Sequence, residues 1–332
     1  MDTENILLLT GSTGMVGGAL LRAELKRKQF NRIILPVRNI VKAREIYNDL
    51  QEIDYQKLDF VETRIEEFRT EKFPMPINFI IHCACVTQSK DMITHPVETA
   101  DSIVIGTKNI LDLARNKKVH SMVYLSSMEV YGKVEDTGEP IQEDQLGEID
   151  LKSVRSSYPM GKRMAEHYCH LYYQEYGVPV KIARLAQTFG KGVHQEDKRV
   201  YAQFARAVLE KKDIILKTQG TSMGNYCALD DVVEGIFIIL KNGKDGEIYN
   251  VVNETNTMRI RDMAELVAKK IAGGSIKVSY DIPKGNPFGY APDTGLRLSS
   301  EKLRKLGWEA KGSLEDMYHT MLRDWGSNSI SS

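Results

Sequence analysis

Residues 7–20 read "LLLTGSTGMVGGAL". The three leucines and a threonine form an apolar run of strand type, and Gly11, Gly14 and Gly17 follow at G-x-x-G-x-x-G spacing. Glycine in such a place allows a tight turn and a close approach of backbone to a ligand. The residues after it, 15–29, carry a helical pattern. A strand, a glycine turn and a helix opening at once present the free N–H groups of a helix N-terminus to a pyrophosphate. A plain strand-to-helix turn would not need three glycines. The stretch therefore predicts the first β-α unit of a dinucleotide-binding sheet.

Working outward, short apolar runs alternate with longer amphipathic stretches. "RIILPV" precedes a charged helical stretch around 40–50, "NFIIHCAC" precedes a helix at 97–116, "SMVYLSS" precedes a loop and another helix, and "VKIARL" closes the series. Strands separated by helices imply crossovers and hence a doubly wound, Rossmann-like α/β fold with a mainly parallel sheet. Unbroken apolar runs fit strands covered on both faces. After Gly190 the pattern loosens into polar loops, a helix near 199–211, an apolar helix at 231–241 and a last strand, "GEIYNVV". The end reads as two short helices around a Gly-Trp turn. The expected division is a dinucleotide-binding domain over 1–189 and a smaller substrate domain over 190–332. That smaller domain is partly interleaved, with roughly 229–255 returning to the first domain.

The chain has 332 residues with 45 Lys plus Arg against 45 Asp plus Glu, a formal charge of zero. A nucleic-acid or membrane-surface binder would need a basic excess, so neither partner is expected. The four cysteines, Cys83, Cys85, Cys169 and Cys227, make no disulfide framework in a chain of this length. Cys83 and Cys85 form a C-x-C inside an apolar run, which reads as buried, reduced thiols in a strand and gives no metal site. The opening "MDTENILLLTG" lacks a basic leader, and no apolar segment approaches the roughly 18 residues of a membrane span. The expectation is a cytoplasmic protein.

An NAD site usually carries an acidic residue about 20 residues after the glycines, at the end of the second strand. Here that strand ends "LPVRN", with Arg38 and no carboxylate. Arg38, with Lys42 or Arg44 near it, suits the 2′-phosphate of NADP, so NADP is expected ahead of NAD. Further on, "SSYPMGKRMAE" sets Tyr158 four residues ahead of Lys162 where a helix begins. A bare Tyr-x-x-x-Lys is common by chance. Its meaning comes from the company it keeps.

The glycine turn, Ser127 at the end of "SMVYLSS" and Tyr158-x-x-x-Lys162 together resemble the extended short-chain dehydrogenase/reductases, in the nucleotide-sugar epimerase/dehydratase family. The resemblance runs along the whole chain, through "FIIHCA", "GTKNILDLA", "VKIARL", "DDVVEG" and the terminal "LGW". It implies hydride transfer at sugar C4, with Tyr158 as acid/base and Ser127 holding the reacting hydroxyl. A free tyrosine, with a pKa near 10, is a poor base at neutral pH. Lys162 would stabilise its phenolate and also bind the nicotinamide ribose. The resemblance further assigns Gly11, Thr13, Gly14, Met15, Val16, Gly17 and Ala84 to the cofactor. Asp59 in "YQKLDF" matches the adenine-contacting position, with a capping role as the alternative. It also implies a homodimer through helix 97–116 and the helix after Tyr158.

The residues after Ser127 separate reactions within that family. The 4,6-dehydratases carry Asp-Glu there; this chain has Met128-Glu129, keeping the base and lacking the acid. UDP-glucuronate decarboxylases keep that Glu, and "RSSYPMGKR" with Arg155 resembles their sequence around the tyrosine. Three departures fall elsewhere: Ile103 at an Asn position, Gln187 and Lys191 for an Asn and a Pro, and Gly224 where a diphosphate-binding Arg is expected. Met128, Gln187 and Arg199 are the further substrate-side candidates. The expected enzyme is a nucleotide-sugar epimerase or decarboxylase-like relative rather than a 4,6-dehydratase. The alternatives are an NADPH-dependent ketoreductase of a 4-keto nucleotide-sugar or of a non-sugar carbonyl, and a non-catalytic dinucleotide-binding protein.

Overall fold

The structure is a computed structural model that describes residues 5–86, 89–135, 137–284 and 294–328. Residues 1–4, part of the opening read above for a leader, lie outside the described residues. Strand β1 (Ile6–Thr10) is buried along its whole length and passes through the glycine turn into helix α1 (Met15–Arg27). There follow β2 (Arg32–Val37), α2 (Ile40–Ile46), α3 (Glu52–Tyr55), β3 (Leu58–Glu62), β4 (Phe79–His82) and α4 (Ser89–Thr94). Next come α5 (Pro96–Lys117), β5 (Ser121–Ser127), α6 (Ser157–Tyr176) and β6 (Val180–Leu185). The rest of the chain forms β7 (Gln187–Phe189), α7 (Val200–Glu210), β8 (Ile214–Leu216), β9 (Met223–Ala228), α8 (Leu229–Asn242) and β10 (Ile248–Val251). It ends with β11 (Asn253–Arg259), α9 (Ile260–Leu266), β12 (Val278–Tyr280), α10 (Glu301–Arg304) and α11 (Leu314–Asn328).

Seven strands make one parallel sheet in the order β10-β6-β5-β4-β1-β2-β3. Chain order reverses between β1 and β4, which opens a crevice beyond their carboxyl ends, the place where ligands bind in open α/β sheets. The alternation along each strand loads both faces. Leu7, Leu9, Ile33 and Leu35 join one apolar cluster with Leu20, Leu21 and Ile236 of α1 and α8. Ile6, Leu8, Ile34 and Ile80 join another with Ile110, Leu111 and Ala165 of α5 and α6. Burial on both sides explains why these runs are apolar throughout, each such side chain contributing about 1.5–3 kcal/mol.

After β6 the chain leaves this sheet. β7 joins β9 and β11 in a three-stranded sheet, and β8 pairs with β12. α7, α9 and α11 close over them around Phe189, Tyr201, Tyr226, Tyr318 and Trp325. α8 and β10 lie on the large sheet, α8 against α1 and β10 beside β6. The C-x-C differs from its expected setting: β4 stops at His82, so Cys83 and Cys85 sit half-buried in the loop beyond it. All four cysteines are free thiols. Among the described residues no helix is long and apolar enough to cross a membrane.

Candidate active site

The glycine turn is built by close contact. Gly11 has φ of 69°, and a Cβ there would lie 2.8 Å from the Ala84 nitrogen. A Cβ on Gly17 would lie 2.2 Å from the Gly11 carbonyl oxygen, so the helix packs on its own turn only because the side chain is missing. Gly14 caps α1 without a side-chain bond, which leaves the first N–H groups of the helix to an anion. Thr13, Met15 and Val16 complete this turn.

The neighbouring loop is tied to it by a buried network. Thr10 Oγ1 accepts the backbone N–H groups of Cys83 and Ala84, each at 3.1 Å, and pairs with His82 Nδ1 at 2.7 Å. His82 Nε2 meets Thr107 Oγ1 at 3.2 Å. Burial, with the Lys162 charge nearby, pushes the His82 pKa down to about 3, so its imidazole is neutral. The network locks the carboxyl ends of β1 and β4 at the crevice.

At the other end of the crevice, Arg38 stands exposed after β2, with Lys42 and Arg44 exposed on α2. Asp59 is not at this edge. It is the second residue of β3, level with Ile34, and its carboxylate pairs with Arg32 at the start of β2. The carboxyl end of β3 is Glu62, level with Val37, whose Oε2 accepts the Ile40 N–H at 3.1 Å. Asp59 therefore lies about 10 Å short of the strand's carboxyl end. Glu62 is the acid at the edge.

Ser127, Glu129, Tyr158 and Lys162 come together at the end of β5. Ser127 Oγ caps a single helical turn, Met128–Tyr131, by accepting the Glu129 N–H at 3.2 Å. Tyr158 is in the first turn of α6 and is 7 % exposed. Burial raises its pKa well above 10, and Cys85 and Glu129 add to that; a hydrogen bond with Ser127 and the Arg155 charge pull the other way. Lys162, one turn further, is buried and donates to the Leu125 carbonyl at 2.7 Å, with its ammonium 5.8 Å from the Tyr158 ring centroid. Ile103, at the departed Asn position, packs against Gly161 between these two residues. It fixes the helix by apolar contact.

What sequence reasoning missed is the pairing of Arg155 with Glu129. Arg155 follows Glu129 by 26 positions, yet its Nη2 donates to Glu129 Oε1 at 2.9 Å and Oε2 at 2.8 Å. Both side chains are about a third exposed, at 33 % and 38 %. A pair that open contributes at most about 1 kcal/mol to folding. Its sequence signals were its place three residues ahead of the tyrosine and the resemblance of "RSSYPMGKR" to the decarboxylases.

On the substrate side, Met128 is partly buried against the main core, and Gln187 lies opposite Tyr226 in the β7–β9 pairing. Arg199 heads α7, held by Asp197 through Nε at 3.1 Å and Nη2 at 2.5 Å, and is near enough to Tyr158 to interact electrostatically. Gly224 has a steric reason: a Cβ there would lie 2.3 Å from the Tyr226 hydroxyl. Tyr226 fills the space an arginine would leave through. Among the described residues no three His, Cys, Asp or Glu side chains gather as a metal site would need.

Residues 7–252 match the NAD dependent epimerase/dehydratase family. The chain is 28% identical to UDP-glucuronic acid decarboxylase 6 of Arabidopsis thaliana over 321 residues, covering 96% of this chain and 88% of that one. Among solved structures it is similar to the UDP-glucuronic acid 4-epimerase of Bacillus cereus in complex with UDP-glucuronic acid and NAD. That likeness has a TM-score of 0.80 at 19% identity, covering 97% of this chain and 99% of that one. It is similar also to RMD from Pseudomonas aeruginosa complexed with NADPH, with a TM-score of 0.73 at 20% identity over 98% and 100% of the two chains.

Proposed function

Because the chain belongs to the NAD dependent epimerase/dehydratase family, we propose that it acts on a nucleotide-activated sugar with hydride transfer at sugar C4. The observation that carries this reading is the convergence of Ser127, Tyr158 and Lys162 at the end of β5, beside the glycine turn. The turn suits a dinucleotide, since Gly11 and Gly17 let the turn, α1 and the Ala84 loop pack closely and Gly14 leaves the first N–H groups of α1 without a side-chain cap. Gly11, Thr13, Gly14, Met15, Val16, Gly17 and Ala84 would hold it. The chemistry a bound nicotinamide supplies is reversible hydride exchange at an alcohol carbon.

Ser127 holds the C4 hydroxyl, and Tyr158 takes its proton as the carbon is oxidised. Burial works against the phenolate that this requires. The Lys162 ammonium, turned from the Leu125 carbonyl toward the phenol, offsets that cost. Arg199 supplies the positive charge for the diphosphate that Gly224 does not, and Gln187 and Met128 border the sugar. Glu129 then has a task beside a C4 ketone, where the C5 proton has become acidic. With Met128 in place of an acid, 4,6-dehydration lacks its proton donor. Epimerisation and a Glu129-assisted step are the favoured outcomes.

NADP is the favoured cofactor, on the strength of exposed Arg38 and the absence of an acid at the end of β2. The same preference leaves net ketoreduction by NADPH as the second reading. The two lobes divide the work, 1–189 with 229–255 on the cofactor and the remainder of 190–332 on the substrate. The enzyme works in the cytoplasm as a homodimer. Incubation with candidate nucleotide-sugars in deuterated water, read by NMR, tests the reaction. Epimerisation leaves C5 unlabelled, whereas a Glu129-assisted step incorporates deuterium there and fails in Glu129→Gln. A 4-keto-6-deoxy product at normal rate would overturn the reading of Met128.

A further inference from the structure

We propose that Arg163 is a positioning residue of the reaction, clamping the turn that carries Glu129 to the helix that carries Tyr158 and Lys162. This rests on the roles proposed above for Ser127, Tyr158 and Lys162.

The clamp consists of three hydrogen bonds to backbone. Arg163 Nε donates to the Val130 carbonyl at 2.7 Å, and Nη2 donates to the carbonyls of Tyr131 at 3.3 Å and Gly147 at 2.6 Å. Val130 and Tyr131 end the single turn Met128–Tyr131. The last carbonyls of a helical turn have no partner within it and need a donor from elsewhere. Arg163 is that donor. Because it binds main chain, it fixes the path of the turn rather than the pose of one side chain.

Its place on α6 gives the clamp its use. Arg163 comes directly after Lys162 and five residues after Tyr158, all within the one helix. Successive helical residues point about 100° apart. Lys162 therefore reaches the Leu125 carbonyl of β5, while Arg163 reaches the turn beyond that strand. The acid/base residue, its lysine and the clamp share one rigid element. From the other side, Ser127 Oγ caps the turn, and the Tyr131 hydroxyl donates to Asn250 Oδ1 of β10 at 2.7 Å. These contacts anchor the turn to the sheet, and Arg163 anchors it to the helix. Glu129 lies between cap and clamp, so Arg163 sets its separation from the phenol.

The contact is held against electrostatics. Arg163 is half-buried, and burial with the Arg184 charge lowers its pKa, Glu166 opposing them. Three charge-assisted bonds offset the repulsion between the two guanidinium groups. The planar fork of donors is what allows one side chain to meet three carbonyls. A lysine there would keep the charge and lose the fork. The clamp also takes in the neck of the next loop: Gly147 N–H donates to the Tyr131 carbonyl at 2.8 Å, and Lys133 and Glu148 exchange backbone bonds at 2.8 and 3.1 Å.

The test compares wild type, Arg163→Met and Arg163→Lys, loaded with whichever of NADP⁺ and NAD⁺ the wild type binds more tightly. UDP-glucuronate and UDP-glucose are the sugars tried. Turnover is taken per bound dinucleotide, the bound amount being measured by calorimetry, so a loss of folded protein does not register as a slower reaction. Arg163→Met should lower kcat about 10²-fold and change KM less than about threefold. Arg163→Lys should lose about tenfold, and it carries the test if Arg163→Met binds no dinucleotide. An unchanged kcat per bound dinucleotide in the variant that carries the test, or a change confined to KM, overturns the assignment. The underlying reading fails by a different sign: loaded wild type turns over neither sugar, and the positioning role falls with it.

Discussion

Tyr158 carries a conflict in its own surroundings. Its ring is buried, and its pKa is raised by burial, by Cys85 and by Glu129. A phenol that must give up its proton is therefore held in the form that keeps it, until a cation turns toward it. Replacing Tyr158 by Phe should lower turnover about 10²–10⁴-fold and leave dinucleotide affinity almost unchanged. Lys162→Ala should weaken both, since one ammonium serves the phenol and the ribose. Steady-state rates and cofactor titrations separate the two patterns, and near-normal turnover in Tyr158→Phe would remove the acid/base assignment. The pH dependence has a definite sign. A base is active when deprotonated, so activity rises with pH through its pKa. Glu129 raises that pKa by repelling the phenolate, so Glu129→Gln should move the rising limb of kcat/KM toward lower pH wherever activity survives. A limb that moved upward would contradict the coupling.

At the scale of elements, the crevice depends on two strand ends being locked and on one turn being cationic. His82 joins β4 to Thr10 of β1, and it folds neutral, with a pKa near 3 against 6.5 in the free side chain. The unfolded chain then binds the extra proton between those values, so stability falls as pH drops from 6.5 toward 3. His82→Gln should flatten this part of the acid-unfolding curve, as followed by denaturant midpoints at several pH values. On the proposed reading, the β2–α2 turn selects the cofactor. Calorimetry should show NADP(H) binding more tightly than NAD(H), and Arg38→Asp should reverse the order; equal affinities in the wild type would remove the preference. Much at this scale was legible because a local steric demand wrote it. Gly11 and Gly17 are glycines since Ala84 and the Gly11 carbonyl leave no room for a Cβ. What escaped was set at long range. The edge of β3 could not be located from "YQKLDF", because half-buried edge strands lack the unbroken apolar run; Asp59 lies within the strand and Glu62 ends it. The need for Gly224 comes from Tyr226, and that of Arg155 from Glu129, and neither partner is visible in a local pattern. The strands β7, β8 and β12, three residues each, are too short to carry a period.

At the scale of the molecule, α5 and α6 pack together on one side of the sheet and still expose apolar side chains: Val97 at 66%, Ile105 at 42%, Met164 and Leu171 at 40%. A second copy covering this face would form a four-helix interface. Light scattering at micromolar concentration should give the mass of a dimer, and Leu171→Asp with Ile105→Asp should give a monomer. A monomeric wild type would count against the interface. Arg199 at the start of α7 lies within electrostatic reach of Tyr158, and the central proposal is that a nucleotide-sugar bound there loses hydride from C4. The direct measurement uses UDP-glucuronate and UDP-glucose carrying deuterium at C4, with enzyme in excess so that a single turnover is quenched and the dinucleotide weighed. Deuterium on the nicotinamide ring, and a slower reaction than with the unlabelled sugar, are the expected results. A product formed with the label still at C4 throughout, and none on the dinucleotide at any time, would contradict it.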